Sequence, residues 1–422
     1  MDKIPPAFER RCFRAGPLRS AAGWYGLAAV SLLLAGCARQ PPPLPPAPAA
    51  PAGDAPVRRE PGERAPVVPS LVEGRRALPE AVEPLDPLEL AAFDPIMTSP
   101  TVREEQIQRR IDWWLEYWRG RSTAPFQRGL ARMGQYQDFV NAELAKRGLP
   151  ESLVYLPLIE ANYYTTAVSP AGAAGLWQFM PHTARGLGLR VDGIVDERFD
   201  PFAATPAALD YIVHLNRRFG SWFLTLAAYN AGPSRVESVI RRHGGDHPRE
   251  DELFTRIRER LPAETRDFIP KYLAAVQIAS TPAYYGLPNP VKSPPVRFDT
   301  TAVEGAATLD VIARAAGVGE EEVERLNPHL HAGITSARGS TTVRLPEGRA
   351  SGFGTRFATI PPHERVAWHI VSAGETLTHI ARYYRISVDN LRAANPDVEP
   401  RRLQIGARLV IPVPSRALPP SD

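Results

Sequence analysis

The sequence contains little cysteine: two residues in a chain of 422, Cys12 and Cys37. Both lie near the N-terminus, and no CxxC pair or cluster of cysteine with histidine occurs. Zinc sites that support a fold need four such ligands at short spacings. We therefore predict no metal site and no cofactor. Loss of an N-terminal segment containing Cys12 would leave a chain without an internal disulfide.

The chain also has no large excess of positive or negative charge. The formal net charge is +4, and no stripe of lysine and arginine with interleaved aromatic residues occurs. Such a stripe is typical of proteins that bind nucleic acids. Mild basicity on a chain of this length is most often a property of the solvated surface. We predict no nucleic-acid partner.

Proline, by contrast, is abundant, with 45 residues in the chain, and it is densest between Gln40 and Pro100. A Pro- and Ala-rich segment with scattered charges cannot bury a core, so we expect an extended chain close to polyproline II. About fifty such residues at ~3.1 Å each would reach on the order of 150 Å. This segment is predicted to be a tether, and the remaining length has room for more than one domain.

The N-terminus resembles a bacterial lipoprotein signal peptide. Basic residues precede an apolar run over 21–34, which is too short for an ordinary transmembrane helix, and the letters LAGC then end at Cys37. The resemblance implies a signal peptide over 1–36, acylation of Cys37, and a lipidated tether over 37–100. A free thiol at Cys37 is the alternative. Ala38 after the cysteine implies anchoring in the outer membrane, facing the periplasm.

A mainly α domain is expected over residues 101–290, where strand-like alternation is scarce. Apolar residues at helical spacing from Ile107 to Trp118 predict the first helix, whose aromatic side chains belong to the core or bind sugar. Pro157 is expected to kink the helix in which it lies. Further helices are predicted over 126–147, 152–162, 180–187, 206–219, 221–229, 235–240, 252–261 and 268–280.

The stretch from 158 to 184 is the most informative part of the chain. Glu160 ends an apolar helical run, and a loop of small residues over 169–175 is followed by an aromatic and polar cluster around Trp177. Such a loop lets a ligand approach the backbone closely, and aromatic faces suit sugar rings. The stretch resembles the active-site core of the family 1, Slt-type lytic transglycosylases, which share the goose-type lysozyme fold.

Glycosidases commonly use two carboxylates, yet no second acid follows Glu160 within this stretch. The next acids, at 192, 196 and 197, lie in a loop that reads as a turn. The resemblance implies that Glu160 alone protonates the bond between N-acetylmuramic acid and N-acetylglucosamine. The substrate's C6 hydroxyl then closes a 1,6-anhydro ring. Apolar neighbours and the helix end are expected to raise the Glu160 pKa.

Other positions take their roles from the same resemblance. Ser169 is expected to assist proton transfer, although it also suits a turn, and Tyr229 of the AYNAG motif is expected to place its hydroxyl beside the acid. The resemblance makes Gln178, Met180 and Asn230 substrate-binding residues.

This sequence also departs from the family pattern immediately after the acid. Ala161 stands where most members have serine, so one supporting hydrogen bond would be missing or supplied elsewhere. A later block, ETR at 264–266, also resembles the family and is interpreted mainly as structural support.

Two copies of a repeat follow a Pro-rich joint. The second copy lies 68 residues after the first, with Thr308 matching Thr376 and Asn327 matching Asn395. Each copy is predicted as strand, two short helices, strand. The copy over 366–414 resembles a LysM module, and the copy over 296–348 resembles it less and is either a glycan binder or a degenerate packing unit. The resemblance implies glycan binding by Gly374, Glu375, Thr376, Asn395 and Pro396.

The sequence thus predicts a mainly α, goose-type lysozyme-like catalytic domain followed by small βααβ LysM modules. The expected function is non-hydrolytic cleavage of peptidoglycan glycan strands by an enzyme anchored to the membrane at Cys37. One alternative is a hydrolase that uses water in place of the C6 hydroxyl. Another is an inactive lipoprotein that binds the cell wall. Other protein partners stay undetermined.

Overall fold

The structure is a computed structural model that describes residues 94–413. The predicted signal peptide, Cys37 and most of the predicted tether lie outside the described residues. Within residues 94–413, no helix is both long enough and apolar enough to cross a membrane.

The mainly α character predicted for the first part of the described chain is confirmed. Ten α-helices lie between residues 105 and 280, joined by turns and short 3-10 segments. They are α1 (Glu105–Arg119), α2 (Thr123–Met133), α3 (Gln137–Lys146), α4 (Leu156–Ala161), α5 (Pro181–Gly186), α6 (Pro201–Phe219), α7 (Trp222–Ala231), α8 (Pro233–His243), α9 (Asp251–Ile257) and α10 (Ala263–Ser280).

Helix α10 lies at the centre of this part and packs against α1 and α7. Its side chains are buried around most of its circumference, including Ile269, Leu273 and Ile278, which are fully buried. A helix that is apolar on all faces is stable only inside a core. The packed core extends from Ile96 to Leu287.

The single helix predicted over 126–147 is wrong, because the chain forms α2 and α3 with a turn between them. At this turn the chain returning from α10 packs against the helix end. Ser293 donates its N–H to the Ala131 carbonyl at 2.9 Å, and Val296 donates to Gln135 at 3.1 Å. A Cβ on Gly134 would lie 2.4 Å from the Ser293 carbonyl oxygen. Contact with a distant segment therefore ends the helix.

The kink predicted at Pro157 is also wrong. A 3-10 segment, Glu151–Tyr155, precedes α4, and Pro157 is the second residue of α4. A proline in the first helical turn removes an N–H that has no partner within the helix. Pro157 therefore helps α4 to begin where it does.

Both repeats have the predicted order of strand, two helices, strand. The first consists of β1 (Phe298–Glu304), α11 (Leu309–Ala316), α12 (Glu320–Leu326) and β2 (Ser340–Pro346), and α13 (Phe353–Ala358) follows it. The second consists of β3 (Ala367–Ile370), α14 (Leu377–Tyr383), α15 (Val388–Ala394) and β4 (Arg408–Ile411). In each copy the two strands pair antiparallel.

The repeated asparagines occupy equivalent places in the two copies. Asn327 donates to the Val323 and Arg344 carbonyls and accepts from the Arg344 N–H. Asn395 makes the same bonds with Leu391 and Val410. Both side chains are buried. In each copy this amide joins the second helix to the last strand, so the repeated asparagine has a structural use.

Candidate active site

Glu160 is the fifth of the six residues of α4. The apolar residues expected to surround it, Leu156, Leu158 and Ile159, are buried, while Glu160 itself is partly exposed. Among residues 94–413 no hydrogen bond or ion pair engages its carboxyl group. An acid that is partly desolvated and otherwise unengaged is available to a ligand.

The backbone after Glu160 takes an uncommon conformation. Asn162 and Tyr163 both have positive φ, 49° and 57°. Non-glycine residues adopt this region rarely, and the surrounding structure must hold them there. The Arg132 guanidinium donates twice to the Asn162 carbonyl, at 3.0 and 2.8 Å, and the Asn162 side chain donates to the Pro125 carbonyl at 3.0 Å. These bonds fix the helix end that carries the acid.

Burial raises the pKa of Glu160 to about 7. The positive charge of Lys271 works against this shift and the negative charge of Glu264 adds to it. Burial dominates because the charged form of a carboxyl group loses more solvation energy than the neutral form. The expectation of a raised pKa is therefore supported, and a proton is available near neutral pH.

Lys271 is the residue of this site that sequence reasoning missed. Its ammonium group donates to the Ile159 carbonyl at 2.8 Å and lies 5.6 Å from the centre of the Trp114 ring. Burial lowers the Lys271 pKa, while Glu160 and Glu264 act in the opposite direction. A lysine inside the apolar segment around Pro270 was the available signal, since buried lysines are rare unless paired.

Tyr229 lies near the acid, as expected. Burial raises its pKa well above the usual value, and the charge of Glu160 raises it further. Its hydroxyl group donates to the Trp177 carbonyl at 2.7 Å. The hydroxyl therefore joins α7 to the segment after the small-residue loop.

Asn230 belongs to a polar chain at the start of α10. The Thr265 hydroxyl donates to the Asn230 side-chain oxygen at 2.7 Å, and the Asn230 amide reaches the Glu264 carboxylate at 3.5 Å. This arrangement ties the AYNAG motif to the ETR block. It also places the negative charge of Glu264 close enough to Glu160 to raise the pKa of Glu160.

The small-residue loop is held by close backbone contacts. Gly175 has a φ of 79°, and a Cβ there would lie 1.7 Å from the Arg198 carbonyl oxygen. Gln178 has a φ of 48°, and its amide donates to the Gly175 carbonyl at 2.8 Å. Gln178 and Met180, the residue immediately before α5, are both partly exposed. The strained backbone at Gln178 is a feature often found at binding sites.

Ser169 is engaged within its own turn. Its hydroxyl oxygen accepts from the Ala173 N–H at 3.0 Å, and its backbone N–H donates to the Ala173 carbonyl at 2.8 Å. These bonds agree with the turn interpretation, and assistance to Glu160 stays a prediction. Ala161 is buried and packs at the end of α4.

The three acids that follow the motif all have structural partners. Asp192 accepts from the backbone N–H groups of Ile194 and Val195. Asp196 pairs with Arg198, and Glu197 accepts from a backbone N–H. Their interpretation as turn residues is supported. Within residues 94–413 no cluster of acidic, histidine or cysteine side chains is arranged to hold a metal ion.

The expected glycan-binding residues of the second repeat divide into two groups. Gly374, Thr376 and Pro396 are exposed, and the Thr376 hydroxyl caps α14 by accepting from His379. Glu375 pairs with His369 at 2.8 Å, whereas Asn395 is buried and structural. Glycan binding by all five residues stays a prediction.

The pKa of Glu160 predicts how stability depends on pH. The unfolded chain ionises this group near 4.5 and the folded chain near 7, so its contribution to stability falls as pH rises between these values. We expect Glu160→Gln to raise the free energy of unfolding at pH 8 by about 2 kcal/mol, since Lys271 loses its counter-charge and offsets part of the gain. At pH 4 the two proteins should match.

Urea unfolding at both pH values measures this difference. The exposed Glu304→Gln serves as the control and should change little at either pH. Equal stability of Glu160→Gln and the unmodified chain at pH 8 would contradict the raised pKa.

Three family models match successive parts of the chain. The transglycosylase SLT domain matches residues 138–251. The LysM-like domain of lytic transglycosylase MltD matches residues 297–361, and the LysM domain matches residues 369–412. The matched parts contain Glu160 and both repeats.

Similar proteins carry related names. The chain is 29% identical over 301 residues to the membrane-bound lytic murein transglycosylase D of Escherichia coli strain K12, over 68% of this chain and 65% of that protein. Over 79 residues it is 39% identical to the peptidoglycan transglycosylase gp16 of Escherichia phage T7, over 18% of this chain and 6% of that protein.

A solved structure, the 70 kDa soluble lytic transglycosylase of Escherichia coli, matches at 26% identity. The match covers 37% of this chain and 26% of that chain with a TM-score of 0.29, too low to establish a shared fold by itself. The family models show a transglycosylase SLT domain followed by an MltD-type LysM-like domain and a LysM domain within this chain.

Proposed function

We propose that this chain is a lytic transglycosylase that cleaves the β-1,4 bond between N-acetylmuramic acid and N-acetylglucosamine in peptidoglycan. The observation that carries the proposal is Glu160, a partly buried acid with a pKa of about 7 inside the matched SLT domain. Similarity to proteins named as murein and peptidoglycan transglycosylases supports the substrate class.

In this mechanism Glu160 first donates its proton to the glycosidic oxygen, and the bond to the muramyl C1 breaks. The muramyl acetamido group stabilises the resulting cation. The Glu160 carboxylate then takes the proton of the C6 hydroxyl, whose oxygen bonds to C1 and closes the 1,6-anhydro ring. The acid is restored and no water is consumed. Lys271 stabilises the carboxylate form between the two steps, because its positive charge lowers the Glu160 pKa.

A hydrolase is the second candidate, and one observation favours it. The negative charge of Glu264 influences Glu160, so a second carboxylate lies in the neighbourhood. An inverting glycosidase would use such a group to activate water. Glu264 is exposed at the start of α10 and is held by Asn230. The two mechanisms differ in their products and in their need for Glu264.

The test combines product masses with two matched variants. Glu160→Gln should lower the rate of murein solubilisation by at least about a thousandfold, because it removes the proton that the reaction needs. Glu264→Gln should keep most of the activity, and mass spectrometry should find products lighter than hydrolytic ones by one water. Loss of activity in Glu264→Gln together with hydrated products would establish the hydrolase instead. Full activity in Glu160→Gln would reject both mechanisms.

The second repeat is proposed to hold the enzyme on its insoluble substrate. Its match to the LysM domain and the exposure of Thr376 and Pro396 support this role. A chain that ends at residue 365, made with Glu160→Gln to prevent digestion, should pellet several-fold less with insoluble peptidoglycan than the full-length Glu160→Gln chain. With Glu160 intact, the shortened chain should still cleave short soluble glycans, which verifies its fold. Unchanged pelleting would remove the binding role.

The proposed domain organisation is a signal peptide over 1–36, a lipidated tether over 37–100, a catalytic domain over 101–290 and modules over 296–348 and 366–414. We place the protein in the cell envelope, anchored by lipid at Cys37 to the outer membrane and facing the periplasm. The LAGC motif and similarity to a protein named as membrane-bound support this.

Cys37→Ser should move the protein from the membrane fraction to the soluble fraction. Retention in the membrane fraction would contradict lipid anchoring.

A further inference from the structure

The two repeats differ in what covers equivalent surfaces. In the second repeat, Thr376, Pro396 and Asp397 are exposed. In the first, the equivalent of Thr376 is Thr308, which is fully buried and donates its N–H to the Arg365 carbonyl at 2.9 Å. The equivalent of Asp397 is His329, which is also buried. Two positions that are open in the second repeat are therefore closed in the first, while Pro328, the equivalent of Pro396, stays partly exposed.

A loop of the SLT domain, residues 189–200, packs against the part of this face formed by residues 329–331. The Asp196 N–H donates to the His329 carbonyl at 2.8 Å, and the His331 ring bonds to the Asp192 carbonyl at 3.0 Å. Between these bonds, Ile194 and Val195 are buried in the hydrophobic core of the first repeat. The loop thus contributes two side chains to a core that belongs to another part of the chain.

An ion pair secures the end of the same loop. Arg344 on β2 donates to the Asp200 carboxylate at 2.8 Å, and its guanidinium lies over the rings of Phe202 and Phe298, at 4.9 and 5.2 Å. Asp200 also caps α6 by accepting from the Phe202 N–H. Both charged side chains are largely buried. Loss of one partner would leave the other charge unpaired, which is costly.

The loop continues directly to the wall of the Glu160 site. Arg198 pairs with Asp196, donating at 2.6 Å, and both side chains are buried. The same guanidinium donates to the Gly172 carbonyl at 2.8 Å and to the Phe179 carbonyl at 3.0 Å. These two carbonyls lie at either end of the segment that contains Gln178.

We propose that the first LysM-like repeat is an internal clamp and not a glycan receptor. Residues 329–331, on the face that would correspond to the glycan-binding face of the second repeat, bind loop 189–200 of the same chain. Through Asp196 and Arg198, this contact holds segment 169–180 in the shape that substrate binding requires. The link to substrate rests on the proposed function, whereas the clamp itself rests only on the contacts. Arg198 and Arg344 are positioning residues.

Hydrogen exchange of the full-length chain, followed by mass spectrometry, tests the clamp without reference to activity. Arg344→Met removes the ion pair, and exchange in peptides over 190–200 and over 169–180 should become roughly tenfold faster, the change expected for loss of one charged hydrogen bond. Peptides over 376–385, in α14 of the second repeat, should not change. Arg314→Met, an exposed arginine on α11 of the same repeat, is the matched control and should leave all of these peptides unchanged.

A milder variant covers the case in which Arg344→Met does not fold. His331→Ala removes one hydrogen bond from an exposed side chain, and exchange over 190–200 and 169–180 should become about threefold faster. Faster exchange over 190–200 with no change over 169–180 would overturn the link between the clamp and the site. Unchanged exchange in both peptides would overturn the clamp.

The same measurement, with a soluble oligomer of N-acetylglucosamine added, tests the receptor role. The clamp predicts no added protection in peptides over 306–309 and 328–333, and protection there would overturn it. In steady-state kinetics on a short soluble glycan, Arg344→Met should lower kcat/KM several-fold. Arg314→Met should leave kcat/KM unchanged. If Glu160→Gln stays active, the proposed function fails while the exchange result still decides the clamp.

Discussion

The wall of the Glu160 site depends on one buried guanidinium. Residues 169–175 are mostly small and offer little side-chain packing, whereas Leu176, Trp177 and Phe179 after them are buried. Arg198 ties the two parts together, because it donates to the Gly172 and Phe179 carbonyls while its charge is balanced by Asp196. A planar group with several fixed donors suits this task better than a lysine would. Gly175 must then be glycine, since the Arg198 backbone occupies the space of a side chain.

The acid itself is tuned by opposing effects. Burial raises the Glu160 pKa, the nearby lysine lowers it, and Glu264 raises it again, with a result of about 7. In the proposed mechanism, a fully paired carboxylate would hold its proton too weakly to act as an acid, and a fully isolated one would release it too reluctantly to act next as a base. Lys271 is hydrogen-bonded to a backbone carbonyl of α4 and not to the carboxylate. It therefore lowers the Glu160 pKa only by the electrostatic attraction of its positive charge.

The residues proposed for the chemistry could be predicted from the sequence, whereas the residues that support them could not. Glu160, the neighbouring Tyr229 and the repeats were predicted from local motifs, which bring together residues that are close in the sequence. Lys271 was missed because its partner, the Ile159 carbonyl, lies more than a hundred residues away in the sequence. Arg198 was missed because it bonds to Gly172, 26 residues before it. The break between α2 and α3 escaped prediction for a similar reason, since residues 293–296 cause it.

The sequence by itself determined the mainly α first part and the βααβ repeats, and it predicted Glu160 as the acid, since helical periodicity, repeat spacing and motif are local properties. It left open whether the first repeat binds glycan or packs. Only the tertiary structure decided which surfaces are open: Thr308 is buried where Thr376 is exposed, although both belong to the same motif. Burial and charge pairing depend on what the rest of the chain brings near, and no local pattern encodes that.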